Sequence, residues 1–222
     1  RQSHITAVAL TGGSYIISDN LKKLSEENVN EGARLLPLID KRPVIVDLWQ
    51  NEFPKLIKLP LSGAPGDWYL LAYFNWSDKK EKAVIKCDQF KLNSDRYFVR
   101  SYWDDQVRIS SKGEPLWTGA INPHGVVLLA VRSFSSTPVY LGGSLHISQG
   151  LEVEALEMRG DSCSIQLNLQ HEAEGFIDMY LPVEPAYVTA GDDPVKFAQI
   201  ENRLYRIFLS LDKSFIVNIF YK

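Results

Sequence analysis

The chain has 222 residues, which is enough for one or two domains with cores of their own. It is 45% hydrophobic and 23% charged, with a formal net charge of −3, so neither a nucleic acid nor an anionic membrane is expected as a partner. The two cysteines, Cys87 and Cys163, form no metal or disulfide pattern and are expected to be buried or half-buried thiols. No apolar run is long enough to span a bilayer, and the composition leaves open whether the protein is cytoplasmic or secreted.

The first 40 residues have the pattern of an α/β protein. An apolar stretch followed by Gly12 and Gly13 indicates a short helix that ends at a glycine, although a buried strand has the same apolar content. The run SYII at 14–17 is a candidate buried parallel strand. A second helix is predicted after Ser25, a good N-cap residue that is followed by two glutamates. The predicted order is helix, strand, helix.

From about residue 43 the pattern changes to short strands with a period of two. The run DWYLLAYFNW at 67–76 is apolar on both faces, which predicts a central strand packed on both sides or partly covered by a neighbouring domain. The run GVVLLAVRSF at 125–134 is a core strand, and five more strand candidates follow residue 150. The sequence predicts a mainly β fold with an antiparallel β-sandwich. The expected division is residues 1–40, residues 41–135 as the sandwich, and residues 136–222 as a second β layer or a small β-domain.

Most catalytic motifs are absent from the sequence. There is no GxSxG nucleophile elbow and no HExxH, and the four histidines show no metal-ligand spacing. The TGGS run lacks the lysine of a phosphate loop and the third glycine of a dinucleotide fingerprint. Neither a metal nor a cofactor is therefore expected.

Two pairs of carboxylates are candidates for catalytic groups. Glu152 and Glu154 would share one face of a strand at roughly 6.5–7 Å, a separation that suits glycoside hydrolysis. Because they alternate with apolar residues, we expect an outward-facing polar row instead. Asp104 and Asp105 follow a strand and are interpreted as a turn.

The aromatic residues and Asp19 give the remaining candidates. Trp49, Trp68 and Trp103 could stack on sugar rings, but packing in a core or an interface is the favoured interpretation. Asp19 follows the candidate strand at 14–17. It is either a helix or turn cap or, in an α/β barrel, a residue at the end of the strand that faces the active site.

Four phrases in the same order carry a family resemblance. They are ALTGGSYIISDNLKKLSEE, GDWYLLAYFNWSD, INPHGVVLLAVR and PVYLGGSLHISQGLE, which together span most of the chain and are looser after about residue 155. The set resembles the C-terminal portion of the α-galactosidase (melibiase)-type glycoside hydrolases, the clan of families 27 and 36. The resemblance implies that residues 15–24 are the last strand of a (β/α) barrel and the start of its final helix, and that the β-sandwich follows the barrel.

The resemblance also implies that the catalytic residues belong to another part of a longer enzyme. Members of the family are retaining hydrolases with two catalytic aspartates on earlier barrel strands, and no residue of this chain matches those motifs. No catalytic residue is therefore assigned here, and Asp19 would at most lie on the rim of the site. The implied partner is an α-linked galactoside or a related sugar, bound through the barrel. The alternatives are a non-catalytic carbohydrate-binding or interaction module, and a sandwich attached to another sugar-active barrel of the α-amylase kind.

Overall fold

The computed structural model describes residues 1–16, 20–211 and 214–222. Two short α-helices open the chain. Helix α1 spans Gln2–Thr11 and ends at Gly12, whose φ of 62° lies in the left-handed region where glycine is favoured, as the sequence predicts. Helix α2 spans Glu26–Ala33, and the Ser25 side chain accepts a hydrogen bond from the backbone N–H of Asn28. No described helix is long and apolar enough to cross a membrane.

The strand predicted at 14–17 is not found in its described part. Residues 13–16 have no regular secondary structure, and residue 17 lies outside the described residues. Ile16 is 82% exposed. Among the described residues, residues 14–16 belong to no sheet, and an isolated strand leaves its hydrogen bonds unmade.

The first β-sandwich, called sandwich 1, is built from eight strands. Six of them form one antiparallel sheet in the order β1-β2-β3-β8-β5-β6, and β4 pairs with β7 in a separate two-stranded sheet. The strands are β1 Val44–Ile45, β2 Leu56–Gly63, β3 Gly66–Phe74, β4 Glu81–Ile85, β5 Arg96–Ser101, β6 Gln106–Ser111, β7 Trp117–Ile121 and β8 Val126–Ser133.

Strand β3 is buried on both faces, as its sequence predicts. One face contributes Leu70 to a core that also contains Leu10 of α1. The other face contributes Leu71 to a second core that β4 and β7 cover. The helix therefore completes the packing of one face of the six-stranded sheet.

The second β-sandwich, called sandwich 2, follows in the chain. Its two antiparallel sheets have the orders β10-β11-β17-β13-β14 and β15-β16-β12-β9, and they enclose one apolar core. The strands are β9 Val139–Gly143, β10 Val153–Met158, β11 Ser162–Asn168, β12 Ala173–Tyr180, β13 Pro185–Ala190, β14 Asp193–Pro194, β15 Phe197–Glu201, β16 Leu204–Leu211 and β17 Ser214–Tyr221. The predicted fold class, mainly β and antiparallel, is confirmed.

The two sandwiches meet at a seam of apolar and polar residues. Phe98 of β5 belongs to one buried cluster with Leu141 of β9 and Tyr180 of β12. The rings of Phe98 and Tyr180 lie 4.9 Å apart. Contacts between these strands make the orientation of the two sandwiches specific.

Candidate functional site

The structure places the three described residues among the four proposed from the sequence in different surroundings. Asp19 lies outside the described residues. Trp49 is 91% exposed, Trp68 is 1% exposed and Trp103 is half-buried. The structure therefore brings no two of the described candidates into one site.

Both the indole N–H and the ring of Trp68 make contacts within the protein. Its indole N–H donates to the backbone oxygen of Ser148 at 2.8 Å, and the Arg132 guanidinium lies over its ring at 4.5 Å. No face of this ring is open to a sugar, so Trp68 acts as a core residue between β3 and the loop that follows β9.

Trp103 lies in a cleft of about 450 Å³ between the start of α1, strand β7 and the turn that follows β7. Its indole N–H donates to the Thr6 hydroxyl at 3.0 Å, and its ring meets Tyr102 edge-on at 4.8 Å. Helix α1 is fixed to the other wall because the Ser3 hydroxyl donates to the backbone oxygen of His124. We call this space the tryptophan cleft; its lining includes Ser3, Glu31, Trp103, Asp104, Trp117 and Asn122.

Trp117 is the residue of this cleft that sequence reasoning missed. Its ring lies over Gly119, two residues along β7, where a Cβ atom would come within 2.6 Å of the indole. A glycine inside a strand often marks such a close approach, so the spacing of tryptophan and glycine was an available signal. Both indoles of the cleft are therefore held in place by their surroundings.

The prediction that Glu152 faces outward is wrong. Glu152 is buried, and its carboxylate accepts hydrogen bonds from the Tyr140 hydroxyl at 2.6 Å, the Ser148 hydroxyl at 3.0 Å and the Gly150 backbone N–H at 2.8 Å. Burial and the neighbouring carboxylate raise the pKa of Tyr140 well above its usual value. The alternation of polar and apolar residues gave the wrong prediction because Glu152 precedes the first residue of β10 and belongs to the preceding loop.

His146 lies beside this carboxylate. Its Nε2 contacts the backbone oxygen of Pro37 at 2.9 Å, and since a carbonyl only accepts, Nε2 carries the proton. Its Nδ1 accepts from the Ser148 backbone N–H at 3.2 Å. Burial lowers the pKa of His146, so the ring is neutral at pH 7. We call His146, Ser148, Glu152 and Tyr140 the buried polar cluster.

A second set of charges crosses the seam. Arg100 of sandwich 1 donates to Asp178 of sandwich 2 at 2.9 Å, and both side chains are buried. Arg206 donates to the same carboxylate at 2.8 Å, and Arg100 also donates to Gln149 at 2.8 Å and to Asp105 at 2.8 Å. Arg100, Asp178 and the buried polar cluster are closed to a substrate, so they contribute to structure rather than to catalysis.

Trp49 belongs to a loop that a buried carboxylate organises. Asp47 is buried and accepts from the Asn51 side chain at 2.8 Å and from the backbone N–H groups of Lys55 at 2.8 Å and Leu56 at 2.9 Å. Trp49 lies at the tip with a φ of 67°, a left-handed conformation that is costly for a tryptophan. The loop therefore presents an indole to solvent in a defined orientation.

The described residues contain no group of three histidine, cysteine or acidic side chains that could hold a metal ion. Cys87 and Cys163 are free thiols, half-buried and buried respectively, as the sequence predicts. Burial raises the pKa of Cys163 to about 11, so this thiol is not a nucleophile at neutral pH.

Comparisons with known proteins give matches among solved structures alone. No protein-family model matches the chain, and no curated protein matches it. The similar structures cover 60% of this chain and include a Bacillus halodurans protein assigned as an α-N-acetylgalactosaminidase, with 14% identity and a TM-score of 0.47. They also include α-galactosidase I from Mortierella vinacea, with 15% identity and a TM-score of 0.46. A family 27 β-L-arabinopyranosidase from Geobacillus stearothermophilus matches with 14% identity and a TM-score of 0.45.

The matched part of this chain spans about a third of those proteins, or 30%, 35% and 29% of their respective lengths. One of these similar structures is thus a glycosidase of family 27.

Proposed function

We propose that the chain is the C-terminal portion of a retaining α-galactosidase-like glycoside hydrolase that acts on terminal α-linked sugars. In this proposal residues 1–40 contribute the last helix, strand and helix of a (β/α) barrel, and residues 41–135 form the β-sandwich that stabilises it. Residues 136–222 form the second β layer or small domain. The four ordered sequence phrases support the proposal, as does α1, which packs its apolar side on the sheet of sandwich 1.

One observation of the structure carries the proposal. Among the described residues, 16 large hydrophobic side chains are exposed, and half of them lie in the stretch 16–53. Trp49, Ile16 and Phe53 are the most exposed of them, with 91%, 82% and 61% of their surfaces exposed. Such a concentration of exposed apolar side chains is typical of a surface that packs against another structure. We call this stretch the N-terminal apolar segment, and the barrel is its proposed partner; the eight residues are Ile16, Val29, Leu36, Leu38, Val44, Leu48, Trp49 and Phe53.

An activity assay on the full chain tests the assignment of catalysis to another part of the polypeptide. We expect no turnover of 4-nitrophenyl α-galactoside, because no residue of this chain matches the two catalytic aspartate motifs of the family that the sequence resembles. Turnover that disappears in Asp104→Asn or Glu31→Gln, the two carboxylates of the tryptophan cleft, would contradict the proposal. Tyr187→Ala, an exposed aromatic substitution in sandwich 2, is the matched control for a contaminating enzyme.

A further inference from the structure

The tryptophan cleft has the size and rigidity of a small-molecule site. Its volume of about 450 Å³ lies within the range of roughly 300–1,000 Å³ that ligand pockets occupy. The helix wall and the strand wall are fixed to each other by the hydrogen bond from Ser3 to His124. A ligand would therefore meet a cleft that is already formed, which lowers the entropy cost of binding.

Two half-buried indoles supply the apolar part of the cleft. Trp103 is fixed by the Thr6 hydroxyl and by the edge of Tyr102. The Trp117 ring lies against Gly119 and packs on the core that β4 and β7 cover, so its position is fixed. Tryptophan offers a large flat surface with little conformational freedom to lose, so both rings suit a flat apolar ligand face.

The polar groups of the cleft determine which ligands it accepts. The Asp104 carboxylate is exposed and is held by the Ser101 hydroxyl at 3.1 Å. Glu31 adds a second carboxylate, and its nearest cation is Arg1 at 3.6 Å. Asn122 contributes an exposed amide with both donor and acceptor atoms. The Arg1 guanidinium also lines the cleft and offsets part of the negative charge, while both carboxylates can accept hydrogen bonds from hydroxyl groups.

We infer that the tryptophan cleft is a binding site for a neutral sugar. A pyranose combines an apolar C–H face with a rim of hydroxyl groups, which matches two fixed indoles beside carboxylate and amide groups. The inference does not depend on the glycosidase proposal, since binding in this cleft requires no barrel and no catalysis.

Isothermal titration calorimetry of the full chain tests the site with raffinose, maltohexaose and cellohexaose as probes. We expect saturable binding of at least one probe with a Kd of about 1 mM or tighter. Asp104→Asn removes the charge that accepts from hydroxyl groups and should weaken that binding at least about tenfold. Trp117→Ala should weaken it by a similar factor, because it removes one stacking surface. Tyr187→Ala, on sandwich 2, should leave the affinity unchanged.

Two outcomes would overturn the inference. One is the absence of saturable heat with all three probes, and the other is an affinity that Asp104→Asn and Trp117→Ala both leave unchanged. If Trp117→Ala fails to fold, Asp104→Asn decides the matter, since Asp104 is exposed and its side chain supports no core. The glycosidase proposal is judged by galactoside turnover instead, so the two can fail separately.

Discussion

The two sandwiches bury their sheets in different ways. In sandwich 1 the six-stranded sheet is apolar on both faces, because α1 covers one face and the β4–β7 pair covers the other. In sandwich 2 two sheets face each other across one core, and β11 alternates buried and half-buried residues along its length. Sandwich 1 therefore depends on a helix from outside its own strands, whereas sandwich 2 is closed by strands alone. Among the described residues, the difference is that a helix completes one core of sandwich 1, whereas strands enclose the core of sandwich 2.

Breaking the seam that joins the two sandwiches should cause the largest loss of unfolding free energy. Asp178→Ala leaves Arg100 buried without its carboxylate and removes the partner of Arg206. Removing one partner of a buried ion pair costs about 3–5 kcal/mol, which urea unfolding of the full chain would measure. The matched control is Asp95→Ala, because the pair of Asp95 with Lys112 is exposed and such pairs are worth about 0–1 kcal/mol. Equal losses in the two variants would show that the sandwiches are not coupled through these charges.

A change in α1 tests whether sandwich 1 depends on the helix. Leu10→Ala should cost about 2–5 kcal/mol, since Leu10 is fully buried against the six-stranded sheet. Hydrogen exchange should become faster in β2 and β3 and should stay unchanged in the core of sandwich 2. Thr11→Ala, an exposed substitution one residue later, should change stability by less than about 0.5 kcal/mol. Equally faster exchange in both sandwiches would contradict the proposal that sandwich 1 depends on α1 and sandwich 2 does not.

The pH dependence of stability tests the buried polar cluster. Burial lowers the pKa of His146 below its usual 6.5, against the opposing influence of Glu152 at 3.8 Å. Between the lowered value and 6.5 the unfolded chain binds a proton that the folded chain does not. Stability is therefore fully present above pH 6.5 and falls on acidification, by at most about 1.4 kcal/mol per pH unit for one group.

The variant His146→Gln isolates that contribution. It removes the titrating ring and keeps an amide N–H that can reach the Pro37 backbone oxygen. The loss of stability between pH 7 and pH 5 should be smaller in the variant than in the wild-type chain. The same pH profile in both proteins would refute the assignment of His146 as a neutral, buried imidazole.

The smallest expected effect concerns the loop around Trp49. Its φ of 67° favours glycine, so Trp49→Gly should raise the free energy of unfolding by up to about 1 kcal/mol. Gln50→Gly, in the same turn without a positive φ, should lower it by about 0.5–1 kcal/mol. A destabilised Trp49→Gly would mean that the indole supports the fold rather than a surface for a partner.

The local features of this fold could be predicted from the sequence. The glycine end of α1, the Ser25 cap and the two apolar faces of β3 each follow from residue type and spacing. The buried polar cluster could not be predicted, because the pattern around Glu152 is also that of an exposed strand face. The partner of Arg100 could not be predicted either, since its contact with Asp178 joins residues 78 positions apart in the sequence.

The candidate site was found from the sequence only in part. Trp103 was a candidate from residue type alone, whereas its neighbours in the cleft come from α1, α2, β7 and the turn that follows β7. Only the fold brings those segments together. The role of Asp19 stays a prediction, because that residue lies outside the described part of the chain.

Determining whether the natural gene product extends before Arg1, and with what amino-acid sequence, tests the central proposal most directly. Within about 250 residues, the usual size of a (β/α) barrel, we expect alternating strands and helices with an aspartate following each of two strands. Replacing either aspartate in that longer protein should abolish turnover of 4-nitrophenyl α-galactoside. A preceding sequence without the barrel pattern would contradict the proposal and would leave the N-terminal apolar segment to another partner.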